Sequence, residues 1–378
     1  LPMDETAFGQ FGIYIQDKFQ VNPDLVVTGG LRVDLPFFPF DPANNPRLDE
    51  IFQNTENQFT DPSDPTRKIA PDVSQMPGIK PLISPRLSFN YDVFGDNTLR
   101  LRGGTGFFSG RIPFVWISNQ ISANGVTRGL TGWDRWSLVD DEWVENTNAD
   151  GGFPFEADPS VYKPSGDELE AQISRDINIT DPDFRFPQVW RTNIAADYRL
   201  PFDIVATLEG IYSSDFNSPL AQNINLAAPT GYFDGVDQRP YFDSYTEVSN
   251  YVVNGEVVGQ ANEIMMLTNT DQGYYWSITA QLQKEFDYGI FASVAYTRGT
   301  SRDYGLIGGS QAASLWPNVV KEDRNNPEMG YSRFDQPNRI VAFVNFNTQA
   351  LNARNTSSFS LYYTGGEGGR YKIGRAHV

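Results

Sequence analysis

The feature that most limits what this chain can fold into is a strict apolar/polar alternation that recurs in pairs of long runs. Phe11, Ile13, Ile15, Phe19 and Val21 fall on one side of an extended backbone, and Gln10, Tyr14, Gln16, Lys18 and Gln20 on the other; Asp17 interrupts the apolar side once. After Asn22-Pro23-Asp24 the pattern returns through Leu25, Val27, Leu31, Val33 and Leu35 against Thr28, Arg32 and Asp34. A period of two sends successive side chains to opposite faces of a strand. Each run therefore predicts a strand with one apolar and one polar face, and the Asn-Pro-Asp step predicts a tight turn between them.

Four further pairs follow. Leu87, Phe89, Tyr91 and Val93 oppose Arg86, Ser88, Asn90 and Asp92, and after Gly95-Asp96-Asn97 come Leu99 and Leu101 against Arg100 and Arg102. Trp190, Thr192, Ile194, Ala196 and Tyr198 alternate with Arg191, Asn193, Asp197 and Arg199, turn near Pro201, and return through Ile204, Ala206, Leu208 and Tyr212 against Asp203, Thr207 and Glu209. Tyr274, Trp276, Ile278, Ala280 and Leu282 alternate with Ser277, Thr279, Gln281, Gln283 and Glu285, then turn at Asp287-Tyr288-Gly289 into Ile290, Ala292, Val294 and Tyr296. The fifth pair is less regular: Ile340, Ala342, Val344 and Phe346, then Phe359, Leu361 and Tyr363, across a polar connection near Asn352 to Asn355.

Ten strands of about ten residues, joined alternately by very short and very long connections, predict an all-β fold: an antiparallel up-and-down transmembrane β-barrel with long extracellular loops. The long segments, approximately 37–84, 110–187, 214–272 and 301–337, carry runs such as Asp41-Pro42-Ala43-Asn44-Asn45-Pro46 and Asp61-Pro62-Ser63-Asp64-Pro65 that suit exposed loops. Within them Tyr251 to Val258 predicts an Asn-Gly hairpin, and a short helix is expected around Asp167 to Ile173. On this reading arginines and acids of the polar faces point into the lumen, while Leu, Val, Ile and Phe meet lipid tails. Phe19, Phe107, Tyr212, Trp276 and Tyr288 are placed in the interfacial girdles.

Composition narrows the classes. No window approaches the roughly 18 uninterrupted apolar residues of a transmembrane helix, so a membrane role has to use strands. There is no cysteine among the 378 residues, which removes disulfides, thiol nucleophiles and Cys-based metal sites and fits export through an oxidising periplasm. The net charge of −18, from 29 basic and 47 acidic residues, argues against nucleic acid as a partner. A soluble β-sandwich also alternates, but strand length, paired spacing and loop asymmetry favour the barrel.

Both ends look artificial. Leu1-Pro2-Met3-Asp4 carries no secretory signal. Residues 372–378, Lys-Ile-Gly-Arg-Ala-His-Val, read as the in-frame translation of a common sequencing adapter, so the expectation is a barrel portion at 1–371 followed by a non-native tail holding the only histidine, His377.

At this point the residues resemble a known family. Phe11-Gly12-Ile13-Tyr14-Ile15-Gln16-Asp17-Lys18-Phe19 with Leu25-Val26-Val27-Thr28-Gly29-Gly30-Leu31-Arg32-Val33-Asp34 resembles the "YxQDxW…GLRxD" hairpin of TonB-dependent outer-membrane receptors. Ile83 to Tyr91, Leu101 to Gly110 and Val115 to Gln120 are similar to the Oar-like, Bacteroidota-type branch, whose members often carry a carboxypeptidase-regulatory-like domain. The resemblance spans residues 7–365. It implies a barrel of about 22 strands, an N-terminal plug and energy delivered through the TonB complex. The chain shows about ten strands of such a parent and no plug, TonB box or closing strand, so it is expected to be an incomplete barrel. Its partners would be outer-membrane lipid, the TonB complex through the missing plug, and an extracellular nutrient, with peptide or oligosaccharide mildly favoured.

Candidate chemistry is thin. Asp140-Asp141-Glu142 beside Trp143 and Glu145 lacks the spacing and glycine of a calcium loop. Gly103-Gly104-Thr105-Gly106 lacks the Lys-Ser/Thr pair and the following helix of a phosphate loop, and nothing sets two carboxylates on opposing strands for glycoside hydrolysis. No catalytic residue, cofactor or metal is expected. Trp116, Trp133, Trp136 and Trp143 lie in the longest external segment as ligand-contact candidates, with packing inside the loop as their other use. The reading is an outer-membrane importer of a scarce nutrient. Its alternatives are a surface-exposed adhesive or structural barrel binding macromolecules without transport, and a soluble β-rich carbohydrate-binding protein or hydrolase.

Overall fold

A computed structural model describes residues 7–369 apart from 63, 123, 125, 127–135, 140–141, 146–175, 236–237, 239, 306–313, 315, 317–322 and 349–356. The alternating runs form ten long strands: β1 (Gly9–Asn22), β2 (Leu25–Phe37), β3 (Leu82–Asp92), β4 (Leu99–Ser109), β5 (Gln188–Leu200), β6 (Ile204–Phe216), β7 (Tyr274–Phe286), β8 (Ile290–Asp303), β9 (Asn338–Asn347) and β10 (Ser358–Gly366). They pair antiparallel in sequence order in one sheet, and the two-residue strand Gly330–Tyr331 adds to the end of β8. Among the described residues β1 and β10 each pair on one side only.

Register follows from the pattern, because a slip of one residue would move every apolar side chain to the polar face. Ile15 stands opposite Leu31, Ala196 opposite Leu208, Leu282 opposite Val294, and Phe346 opposite Phe359. The fifth pair, the least regular in sequence, thus shares one apolar face, with the Phe346 and Phe359 rings stacked at 6.5 Å.

All five strand pairs close at one end of the sheet and the four long connections leave from the other. Four of the closures are tight turns; the fifth contains residues 349–356. The β5–β6 turn is unusual: Phe202 and Asp203 hold φ values of 67° and 57°, where an L side chain is strained.

The long connections depart from the expectation of plain exposed loops. Among the described residues, every one of the largest fully buried side chains, Trp316, Tyr251, Phe59, Ile224 and Met265 among them, belongs to a connection and none to the ten long strands. One core gathers Met76, Ile112, Trp116, Phe184, Leu267 and Trp316 from all four connections. A second joins Leu48, Phe59, Ile177, Ile224, Tyr251 and Ile264 from the first three. The reason is geometric: the ten strands form a single layer with no second layer packed on either face, so tight apolar packing is left to the segments that fold onto one another.

Local signals explain the pieces. Asn45 accepts hydrogen bonds from the Arg47 and Leu48 amides and Pro46 occupies the first turn, which starts helix α1 (Pro46–Gln53). A second helix, α2 (Phe114–Ser122), was not signalled by the sequence pattern. Strands Ser218–Asn223, Ile264–Thr270 and Ile177–Thr180 make a small sheet shared by the second and third connections. The hairpin Asn250–Val253/Glu256–Gln260 turns at Asn254-Gly255, both at positive φ, as the sequence requires. The helix expected near 167–173 and the tail 372–378 lie outside the described residues.

Candidate functional site

The polar face of the sheet and the connection layer above it are the two surfaces with chemistry to offer. On the polar face, Arg32 holds Asp34 through two hydrogen bonds of 2.7 Å, and Gln10 donates to the same carboxylate at 2.8 Å. Arg102 reaches from β4 to Asp197 on β5 at 3.1 Å and to Glu209 on β6 at 3.6 Å, while Thr207 donates to Asp197 at 2.7 Å. Arg86 lies over the Phe108 ring at 4.5 Å. Along the middle of β7 and β8 the face is uncharged, with Thr279 against Thr297 and Gln281 against Ser293. Near the turns of β1 to β4 a concavity of about 610 Å³ is lined by Lys18, Asp24, Asn90, Asp92 and Arg100 among others.

The opposite face is apolar and open. Ile13, Ile15, Ile194, Leu208, Ile278 and Leu361 are all exposed on it. Aromatics bound it at both ends. Phe107, Trp190, Tyr212 and Trp276 lie towards the connection layer, with the Trp190 indole donating to Thr105 at 2.8 Å. Phe19, Phe202, Phe286 and Tyr288 lie towards the turns, and the Lys284 ammonium sits over the Phe286 ring at 4.7 Å. From Phe202 to Tyr212 the strand climbs about 33 Å, or about 25 Å vertically at a barrel tilt of about 40°, which is the height of a bilayer's apolar band.

No helix among the described residues is long and apolar enough to cross a membrane. A family model described as "Outer membrane beta barrel domain" matches residues 3–363. The chain belongs to this outer-membrane β-barrel family. Its polar face is accordingly the lumen wall, its apolar face meets lipid, and the connection layer stands on the extracellular side.

Solved structures similar to this outer-membrane barrel include the siderophore receptor PirA from Pseudomonas aeruginosa, at 10% identity and a TM-score of 0.40, covering 95% of this chain and 41% of that one. A point mutant of the ferric enterobactin receptor PfeA, from the same organism, matches at 9% identity and a TM-score of 0.43, over 94% of this chain and 32% of PfeA. The FrpB iron transporter from Neisseria meningitidis matches at 9% identity and 0.40, over 91% and 32%. The chain thus spans less than half the length of each. No curated protein sequence matches it.

Of the four tryptophans singled out from sequence, Trp116 is the one whose side chain lies among the described residues. Trp116 is buried in α2 within the first core, so it packs inside the layer. Trp136 and Trp143 belong to the hairpin Trp136–Val139/Glu142–Glu145, opposite Glu145 and Leu138 respectively, and Trp133 lies outside the described residues, as do Asp140 and Asp141. Gly103 to Gly106 are interior residues of β4 and hold no phosphate-loop geometry. No group of three or more metal-ligating side chains occurs among the described residues.

The polar network inside the layer is dense. Asn325 accepts from the Trp316 indole at 2.8 Å and the Asn223 amide at 2.9 Å and donates to the Asn223 carbonyl at 2.8 Å, tying the fourth connection to the third. Gln120, almost fully buried, donates to the Val73 and Gln75 carbonyls and accepts from the Thr180 amide. Partial burial, with help from Glu263, pushes the Tyr245 hydroxyl up to about 12 although the ring keeps an exposed edge, and deep burial also raises Tyr251. Sequence reasoning missed an exposed aromatic group in the third connection: Tyr232, Phe233, Tyr241, Phe242 and Tyr245. Its signal was the density of Tyr and Phe between 232 and 245.

Proposed function

We propose that the chain builds the barrel wall of a TonB-dependent outer-membrane receptor of the Oar-like type, which imports a scarce nutrient in a step driven by the TonB complex through a plug. The observation that carries this reading is the β1–β2 hairpin. The receptor-like segments Phe11 to Phe19 and Leu25 to Asp34 pair directly, and the Arg32 and Asp34 of the motif bind each other on the lumen wall. The connection layer supports it, because long structured loops above a barrel are usually functional, and a receptor needs a preformed surface at its outer mouth. Peptides or oligosaccharides remain the favoured cargo of the reading, on the strength of the sequence resemblance.

The test is uptake of labelled peptide and oligosaccharide mixtures by cells carrying the intact gene, with and without functional TonB. Uptake lost on TonB deletion supports the reading; uptake indifferent to TonB overturns it. A second reading, an adhesive barrel, draws on the exposed aromatics around Tyr232 and Tyr241, and surface binding without internalisation would favour it.

A further inference from the structure

We propose that Arg86 and Arg191 form an anion site at the outer end of the lumen wall, taking a carboxylate or phosphate group carried by the entering ligand; this refinement rests on the receptor reading above. The site is a cross-strand row. Arg86 of β3 stands opposite Gly106 of β4, and Gly106 stands opposite Arg191 of β5. Two strand spacings put the arginine backbones about 10 Å apart, within reach of one anion between two flexible side chains. No side chain intervenes, since the residue between them is glycine. A Cβ on Gly106 would come within 2.8 Å of Arg86 Cγ and 2.9 Å of the Pro85 carbonyl, so the arginine lies across the space that glycine leaves. Its guanidinium then rests on the Phe108 ring at 4.5 Å, a stacking that fixes the plane and leaves N–H edges free for an oxyanion.

Neighbouring arginines of this wall are engaged: Arg32 by Asp34, Arg102 by Asp197 and Glu209, and Arg100 by Asn97. Arg86 and Arg191 are exposed and, among the described residues, have no carboxylate within the 4 Å of an ion pair; Asp34 and Asp215 feel their charges from farther off, which leaves both guanidinium groups room to turn to a ligand. In a chain of net charge −18 two such arginines side by side are not background. Both stand near the outer ends of their strands, below the connection layer, where an incoming solute arrives first. Paired guanidinium groups bind planar oxyanions through charge-assisted, often bidentate hydrogen bonds.

The experiment is titration calorimetry of the full chain folded in detergent micelles, with citrate and inorganic phosphate as probes and circular dichroism as the check on folding. Wild type is expected to bind citrate. Arg86→Gln and Arg191→Gln should each weaken it by roughly tenfold or more, and the double variant should abolish it. Gly106→Ala should also weaken it, by displacing Arg86 with both charges retained, whereas Arg339→Gln, on β9, should not. Folded wild type that binds neither probe, or a folded double variant that binds as wild type does, overturns the proposal. The titration needs no TonB and no energised membrane. A failed titration therefore removes this site and leaves the receptor reading standing, and TonB-independent uptake does the reverse.

Discussion

The Lys68 ammonium lies 2.6 Å from the Glu247 carboxylate although 179 positions separate the two residues in sequence. Lys68 belongs to the hairpin Phe59–Asp61/Asp64–Ile69 of the first connection and Glu247 to the third, and Thr60 donates to the same carboxylate at 2.8 Å. The pair is a staple between loops that are joined to different strands.

Burial works to raise the Glu247 carboxyl, but the hydrogen bonds from Lys68 and Thr60 together outweigh it and hold it below the usual glutamate range. A carboxyl depressed in the folded state contributes stability that is present above its unfolded pKa and is lost as pH falls through the folded value. Protection factors of the Thr60 and Lys68 segments, that is exchange corrected for the intrinsic rate at each pH, should therefore fall in wild type between about pH 6 and about pH 3, and Glu247→Gln should be less protected at neutral pH with a flatter pH response.

Asn325 is the buried joint between Trp316 and Asn223. Asn325→Ala strands the Trp316 N–H and the Asn223 backbone, at a cost of about 2 kcal/mol to the connection layer. The expected readout is earlier proteolytic cutting within the connections while the strand signal in circular dichroism is unchanged.

Tyr251 makes the opposite case. Its ring is fully buried against Phe52 at 5.7 Å, but its hydroxyl has no hydrogen-bond partner among the described residues. Tyr251→Phe removes an unsatisfied polar atom and keeps the ring, so the layer should become more stable by about 1 kcal/mol, seen as slower proteolysis.

Arg102 separates two carboxylates on the lumen wall. Arg102→Met leaves Asp197 and Glu209 without it; because the guanidinium is partly exposed the expected loss is modest, about 1 kcal/mol in urea unfolding from micelles. Glu209→Gln added to it should recover part of that loss, which a double-mutant cycle measures.

Membrane orientation is tested by a pair of lysines. Leu208→Lys, on the apolar face of β6, should cost about 2 to 4 kcal/mol in lipid vesicles, and Gln283→Lys, on the lumen face of β7, close to nothing. Equal costs would contradict the assignment of faces.

Much of the barrel was legible because its signal is local. Ile13 and Ile15, or Ile278 and Ala280, declare their face by alternation alone, and Asn254-Gly255 declares its turn by the positive φ that both residues adopt. The polar role of Arg86, Arg191, Asp197 and Glu209 was readable in the same way. Helix α1 carried a readable start at Asn45-Pro46 that the Pro/Asn-rich run around it obscured. Trp116 was legible only as an aromatic in a long loop, because its burial depends on Met76, Phe184 and Trp316, which come from three separate stretches of chain.

What the sequence determined by itself was therefore the strands, their register, their two faces and the end of the sheet from which the long connections leave. Each of these follows from a period of two and from turn residues that act within a few positions. Only the tertiary structure decided that the connections share two buried cores, that Lys68 meets Glu247, and that Gly106 stands between Arg86 and Arg191 and leaves its space to the Arg86 side chain. Those contacts join residues tens to hundreds of positions apart, and loop-to-loop packing has no repeating pattern along the chain from which to read them.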